Sequence, residues 1–182
     1  MTLYVVVLYA HLLGAVALFT GQGIEWAASS LFRGASSAEQ VRAWLRVFRV
    51  SPPLSGIGIA VLLLSGGYLA SLSGTMKQGW IPATLLAIGA ALLLGIVVIM
   101  PRMNKIRKAV PSLNEPVNAE LRSRLSDPVL LSAIRIRLLL AVGILYLMAA
   151  KVPFTPSLVT LLIALVIGLI SSAPVWRRPI GY

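Results

Sequence analysis

The sequence predicts an all-α fold, a polytopic membrane bundle of five transmembrane helices. Five apolar stretches are each long enough to cross a bilayer, which takes roughly 20 helical residues. The chain is 58% hydrophobic and only 12% charged, whereas soluble domains carry about 25% charged residues. Because little of the 182 residues remains outside the stretches, we expect a single transmembrane domain over 1–182. The predicted spans cover residues 4–26, 52–73, 80–100, 128–150 and 156–176.

The placement of basic residues predicts the orientation. Of the 16 Lys and Arg, Lys77 and Lys151 lie on one side of the predicted membrane, and the other fourteen (16 − 2) lie on the opposite side. The positive-inside rule then puts the N-terminus outside and the C-terminus in the cytoplasm. We therefore expect a multi-pass protein of the bacterial inner membrane. Its expected partners are the bilayer and anionic lipids at the cytoplasmic face, with no nucleic acid despite the net charge of +11.

The connection after the first span predicts a short interfacial helix at about residues 37–50. Ser36 and Glu39 have the spacing of a capping box, and apolar residues then recur at helical spacing between arginines. Such a basic amphipathic helix is typical of an anchor lying on the inner leaflet; a partner-docking helix is the alternative. The second span is then expected to begin at Ser51-Pro52-Pro53, because proline suits the first helical turn.

Two further features concern the later spans. Pro101 and Pro174 are expected to stop or kink the third and fifth spans, and a short helix is expected near Asn118–Leu125.

Small residues recur every four positions in the third and fifth spans, which lets helices pack closely in lipid. They predict packing within the chain, or alternatively a homodimer. The ladder residues are Ala83, Ala87, Ala91 and Gly95, then Ala164, Gly168 and Ser172.

Polar residues inside the spans are the candidate site. At 100° per residue, His11, Gln22 and Glu25 lie on one face of the first span, with His11 roughly 20 Å from Glu25 along the axis at 1.5 Å per residue. Arg135 and Arg137 enter the fourth span at the depth of Glu25. A buried charge needs a partner, so we predict an ion pair between Glu25 and either arginine. Such a pair would determine how the first and fourth helices dock.

His11 is the only histidine, and the chain has no cysteine. An imidazole in the membrane could ligate haem iron, relay a proton or contact a quinone head group. It could equally hydrogen-bond a backbone carbonyl or a Ser or Thr on a neighbouring helix. With one histidine, a bis-histidine haem b would need a second copy of the chain or a partner subunit. Metal is predicted nowhere beyond that haem iron.

Short motifs resemble known bacterial families. The opening Leu8-Tyr9-Ala10-His11-Leu12-Leu13-Gly14-Ala15 is similar to an LHxxGA start, and Ser65-Gly66-Gly67-Tyr68-Leu69 and Met100-Pro101-Arg102 fit the same pattern. The resemblance, roughly over residues 1–110, is to uncharacterised predicted integral membrane proteins distantly similar to the copper-resistance D type. The His-dependent membrane protoporphyrinogen oxidases have a related opening, and that resemblance implies a haem at His11.

Three functions are compatible with the sequence. The first is a non-enzymatic subunit or assembly partner of a membrane complex, which we place first. The second is a haem b- or quinone-linked redox protein centred on His11. The third is a small-solute or lipid carrier acting as an oligomer, which predicts a cavity lined by His11, Gln22 and Glu25.

Overall fold

The computed structural model describes residues 3–110 and 117–177, and within them the chain is helical with no strand. Five helical stretches are long and apolar enough to cross a membrane, as the sequence predicts. The chain belongs to the all-α class, although the orientation of its termini stays a prediction. The helices are α1 (Leu3–Phe32), α2 (Ala38–Leu72), α3 (Trp80–Leu93), a π-helical segment (Leu94–Ile99), α4 (Met100–Ala109), α5 (Ala119–Leu125), α6 (Pro128–Ala150) and α7 (Phe154–Arg177).

Helices α1 and α2 pack closely because glycines line their contact. A Cβ atom at Gly58 would lie 2.8 Å from the carbonyl oxygen of Gly14. One at Gly21 would lie 2.2 Å from Ser55 Oγ and 3.0 Å from the Ser55 nitrogen. Since real side chains do not approach backbone so closely, glycine is needed at these points. The two backbones therefore touch directly, as small residues allow in lipid.

The prediction of a separate interfacial helix is wrong, because α2 runs without a break through Pro52 and Pro53. The apolar residues that were expected to lie in the inner leaflet are buried in the protein instead: Val41 is 0% exposed and Phe48 2%. Phe48 packs on Phe32 of α1 with ring centroids 6.2 Å apart. Tertiary packing of this face therefore outweighs the helix-breaking tendency of the prolines.

The N-terminus of α2 also differs by one residue from the expected capping box. Ser37, and not Ser36, is the N-cap, and its side chain accepts a hydrogen bond from the Gln40 N–H at 3.3 Å. Gln40 Oε1 in turn accepts from the Ser36 N–H at 2.9 Å. Gln40 thus takes the role that the sequence assigns to Glu39.

Pro101 does not stop the third span, which continues as α4 to Ala109. The π-helical segment comes directly before it, and the N–H of Met100 bonds the Gly95 carbonyl five residues back. A π turn inserts one extra residue into a helix. The backbone hydrogen-bond pattern can therefore continue past Pro101, which has no N–H to donate. Pro174 likewise lies inside α7.

Other predicted helix ends agree with the structure. Asn118 Oδ1 caps α5 by accepting from the Leu121 N–H at 2.8 Å. Asp127 Oδ1 caps α6 by accepting from the Val129 N–H at 2.8 Å, with Pro128 in the first helical position. Side-chain oxygens at these positions satisfy amides that a helix start leaves free.

The small-residue ladders pack inside the chain. Ala83, Ala87 and Ala91 of α3 are buried in a cluster with Leu140, Ile144 and Leu147 of α6. On α7, Ala164 is buried, and a Cβ at Gly168 would lie 3.0 Å from Ile136 Cγ1 of α6. Helix α6 is therefore the central helix on which α3 and α7 pack.

A second apolar cluster connects the helices at one end of the bundle. We call this end the basic end, because the arginines and lysines of the start of α2 and of α4 lie there. The cluster joins the end of α1, the start of α2, helices α4 and α5, and the start of α6. This packing brings α2 and α4 to the two sides of the site described next. The larger members are Phe32, Val41, Leu45, Phe48, Ile99, Met103, Ile106, Leu121, Leu125, Leu130 and Ile134.

Candidate functional site: a lateral cleft with a buried ion pair

A buried ion pair connects α1 and α6. Arg137 Nη1 donates to both carboxylate oxygens of Glu25, at 3.2 Å to Oε1 and 3.0 Å to Oε2. The side chains are only 8% and 2% exposed. Of the two arginines that the sequence offered, the structure thus places Arg137 against Glu25. Two opposite charges that are this close together and this deeply buried stabilise each other, although removing them from water is costly.

Arg135 points elsewhere, because residues two positions apart on a helix are separated by about 200° around its axis. It is half-buried and donates to the Ser171 carbonyl on α7. It therefore attaches α7 to α6 and takes no part in the ion pair.

Gly95 of the π-helical segment lies directly over the ion pair. A Cβ there would be 3.4 Å from Arg137 Nη1 and 3.7 Å from Arg137 Cζ. The sequence predicts Gly95 as the last residue of a packing ladder. In the structure it leaves room for the guanidinium, at a type of helix irregularity that is frequent at functional sites.

Several buried polar atoms of α1, α2 and α6 have no hydrogen-bond partner among the described residues. They are Gln22 Oε1, Ser51 Oγ, Ser55 Oγ and Arg137 Nε. Gln22 is 3% exposed, Ser51 0% and Ser55 1%. An unpaired buried polar group costs about 1–3 kcal/mol. Of these groups, Ser55 and Arg137 line the cleft described next, whereas Gln22 and Ser51 do not.

A cleft of about 360 Å³ lies beside the pair, between α2 on one side and α3, the π-helical segment and α4 on the other. Glu25 and Arg137 close its inner side, and Ser55 lines it. Its outer rim includes Pro52, Gly56 and further apolar residues that are exposed at the side of the bundle. The cleft therefore opens laterally. Its apolar walls are Phe48, Ile59, Leu92, Ile96, Ile99, Met100 and Met103.

The two ends of the cleft differ in polarity. Arg49 of α2 and Arg107 of α4 line it at the basic end together with Asn104. Ile59 and Leu92 line it towards the middle of the bundle. The cleft thus has the polarity of one half of a bilayer, with charged groups at one end and hydrocarbon at the other.

His11 lies at a different place, in the contact between α1 and α2. Its Nδ1 is 2.9 Å from Ser65 Oγ, and the Ser65 hydroxyl donates to the Val61 carbonyl. A hydroxyl has one hydrogen, so when Ser65 donates it to Val61 the His11 ring donates Nδ1–H to Ser65, and in that tautomer the lone pair of the neutral ring lies on Nε2. A Cβ at Gly66 would lie 3.0 Å from His11 Cε1, so glycine makes room for the ring. His11 does not line the cleft.

The sequence identified part of this site. It singled out Glu25 and Arg137, and it missed Ser55, Arg49 and Arg107, which line the same cleft. Gln22, which the sequence places in the lining of a cavity, does not line this cleft, and neither does Ser51. The signal for Ser55 was its spacing of four residues from Ser51, which puts the two serines on one face of α2. Nothing local signals that α2 and α4 lie on opposite sides of one cleft.

Comparison with known proteins agrees with the membrane fold. The family described as "Predicted integral membrane protein (DUF2269)" matches residues 5–152. No curated protein and no solved structure matches the chain. The expected resemblance to predicted integral membrane proteins is supported, whereas the similarity to the copper-resistance D type and to protoporphyrinogen oxidases stays a prediction.

Proposed function

Because this chain belongs to the DUF2269 family of predicted integral membrane proteins, we propose that it is a non-enzymatic lipid-handling protein that binds an amphiphile in the lateral cleft. The cleft carries the proposal. Its volume of about 360 Å³ falls within the roughly 300–1,000 Å³ that small-molecule sites occupy. Its walls are apolar and its opening faces the side of the bundle, where a lipid chain could enter without leaving the bilayer.

The charges in the cleft support binding more than catalysis. Glu25 is held by two hydrogen bonds to Arg137, so its carboxylate is committed to a cation. A general base or nucleophile has to be free to accept a proton or attack a substrate. The ion pair instead closes the inner side of the cleft with a rigid wall.

A role as a subunit or assembly partner of a larger membrane complex concerns other surfaces. The small-residue ladders of α3 and α7 are buried against α6, so they are not available to a second copy or to another protein. A partner would have to meet an outer face of the bundle. We therefore place lipid binding first, and a carrier acting as an oligomer would use the same cleft.

The same proposal includes the expected orientation. The positive-inside rule puts the basic end of the bundle in the cytoplasm. The charged end of the cleft would then lie at the inner leaflet of the bacterial inner membrane, and its apolar end near the bilayer centre.

Photolabelling of the reconstituted protein tests the proposal. A phospholipid with a photoreactive diazirine in its acyl chain should label residues of the cleft, and mass spectrometry of peptides should locate the adduct. Gly56→Phe should reduce this labelling at least several-fold, because a Cβ at Gly56 meets nothing within 4 Å and the ring would fill the cleft.

Gly67→Phe is the matched control. Gly67 lies on the same helix, a Cβ there also meets nothing within 4 Å, and it does not line the cleft. Equal labelling of the two variants, or adducts spread evenly over the outer faces of the bundle, would contradict lipid binding in the cleft.

The position of His11, with Nδ1 2.9 Å from Ser65 Oγ, favours a second candidate, a haem b- or quinone-linked redox protein. In the tautomer that carries its hydrogen on Nδ1, Nε2 is the nitrogen that could bind iron or accept from a quinol. The fit to haem is partial, because one imidazole supplies one axial bond and the sequence contains no second histidine. A Soret band in purified protein that disappears in His11→Ala would support this candidate, and colourless protein from haem-replete cells would contradict the haem.

A further inference from the structure

We infer that the cleft selects amphiphiles with an anionic head group, a phosphate or carboxylate that binds between Arg49 and Arg107. This inference rests on the proposed function, since it names the class of lipid that the cleft would take. Its starting point is the charge of the lining. Arg49, Arg107 and Arg137 contribute +3 and Glu25 contributes −1, so the cleft carries 3 − 1 = +2.

The surplus charge lies at one end of the cleft. Arg137 is neutralised by Glu25 at 3.0 Å, which leaves Arg49 and Arg107 as the source of the +2. These two come from opposite sides of the cleft, one on α2 and one on α4. A group bound between them would therefore meet a guanidinium on each side.

Neither arginine has a carboxylate partner in residues 3–110 and 117–177. Arg107 Nη1 donates to the amide oxygen of Asn104, at 3.4 Å, and within the described ranges Arg49 takes part in no ion pair. Other arginines nearby are paired: Arg102 lies 3.0 Å from Asp127 and Arg124 lies 2.7 Å from Glu120. Arg33, Arg46 and Arg122 also form no ion pair among the described residues, so what distinguishes Arg49 and Arg107 is that both line the cleft.

Guanidinium groups match phosphate and carboxylate in shape as well as charge. Their planar fork can donate two parallel hydrogen bonds to one oxyanion. A lipid head group is favoured over a free anion because the rest of the lining is apolar. Along α2, Ile59 is ten residues from Arg49, roughly 15 Å at 1.5 Å per residue, which is room for a hydrocarbon chain to extend from the head group.

Lipid competition in nanodiscs tests the inference. The photoreactive lipid is displaced by phosphatidylglycerol or by phosphatidylcholine with the same acyl chains, and the ratio of the two affinities is the preference for the anionic head group. We expect Arg49→Gln/Arg107→Gln to lower that preference by at least about tenfold, because the change removes charge-assisted hydrogen bonds to the head group, which contribute about 1.5–3 kcal/mol, and 1.4 kcal/mol is tenfold.

Arg46→Gln/Lys108→Gln is the matched control. It removes the same charge from the same two helices, and both residues are exposed and lie outside the cleft. The preference of this variant for the anionic head group should change less than about threefold, since Arg46 and Lys108 make no hydrogen bond to a lipid in the cleft and their charges are screened by salt over about 10 Å. Comparable losses in the two double variants would overturn the inference and would indicate attraction to the basic surface as a whole.

Two further measurements distinguish failure of the head-group inference from failure of the proposed lipid binding. Glycerol phosphate at millimolar concentration carries the head group without a chain, and displacement of the photoreactive lipid by it would overturn the choice of a lipid over a free anion. If Gly56→Phe blocks labelling but wild type shows no preference for phosphatidylglycerol, the head-group inference fails and lipid binding stands. If wild type is not labelled in the cleft at all, the proposed function fails with it.

Discussion

Replacing Glu25 with Gln should destabilise the bundle by about 3 kcal/mol. The change leaves Arg137 charged at 8% side-chain exposure, with a neutral amide in place of its counter-ion. Breaking a buried pair from one side costs about 3–5 kcal/mol. The lower end applies because the Gln oxygen can still accept one of the two hydrogen bonds.

Removing both charges should recover most of that loss. In Glu25→Gln/Arg137→Met no buried charge remains, and replacing a buried ion pair by neutral residues is often close to neutral in stability. We expect the double variant within about 1 kcal/mol of wild type. The coupling energy between the two sites would then exceed the ~1.7 kcal/mol maximum measured for hydrogen bonds between membrane helices.

Unfolding in SDS micelles, followed by tryptophan fluorescence, measures these free energies, and the chain contains four tryptophans. Arg135→Met is the control, since this arginine lies on the same helix but bonds only a carbonyl near the surface. It should cost less than about 1.5 kcal/mol, the usual net contribution of one hydrogen bond. Wild-type stability in Glu25→Gln, or a double variant no more stable than the single, would refute the role given to the ion pair.

Three other predictions follow from the packing and the charge distribution. Gly21→Ala should destabilise the protein by about 1–3 kcal/mol, the usual cost of overpacking, because its Cβ would meet α2 backbone at 3.0 Å. Gly23→Ala is its control: the Cβ meets nothing within 4 Å, so this change should stabilise the protein by up to about 1 kcal/mol in the same SDS titration. His11→Ala should lower stability by about 1 kcal/mol through the lost bond to α2 without changing labelling of the cleft, and loss of cleft labelling would contradict the separation of the two places. Single cysteines at Lys77 and Lys105, introduced into a chain without native cysteine, should react with an impermeant maleimide from opposite faces of the membrane, and labelling from one face would contradict the orientation.

Local chemistry made part of the site predictable. At 100° per residue, the polar residues of the first span share a face, and Arg135 and Arg137 must diverge, so that at most one of them can meet Glu25. The choice of Arg137 depends on how α6 is rotated against α1, which is determined by the packing of α3 and α7 on the rest of α6. No local sequence pattern predicts the rotation of α6 against α1.

The wrong expectations have a common physical origin. Prolines at 52 and 53 and at 101 have strong local preferences for helix starts and breaks, and they were interpreted on that basis. In the structure, burial of Val41 and Phe48 keeps α2 in one piece, and the π-helical segment carries the third span past Pro101. Contacts distant in sequence outweigh the local preference in both cases.

The sequence by itself determined that this protein has five membrane-crossing helices, because the thickness of the bilayer requires about 20 apolar residues per span and the chain has five such stretches. It also determined that charge is concentrated at one end of them. Only the tertiary structure decided that α2 and α4 lie on opposite sides of a lateral cleft, with Arg49 and Arg107 at its basic end and Glu25 paired to Arg137 inside it. Residues so far apart along the chain meet only through the packing of whole helices, which no local pattern records.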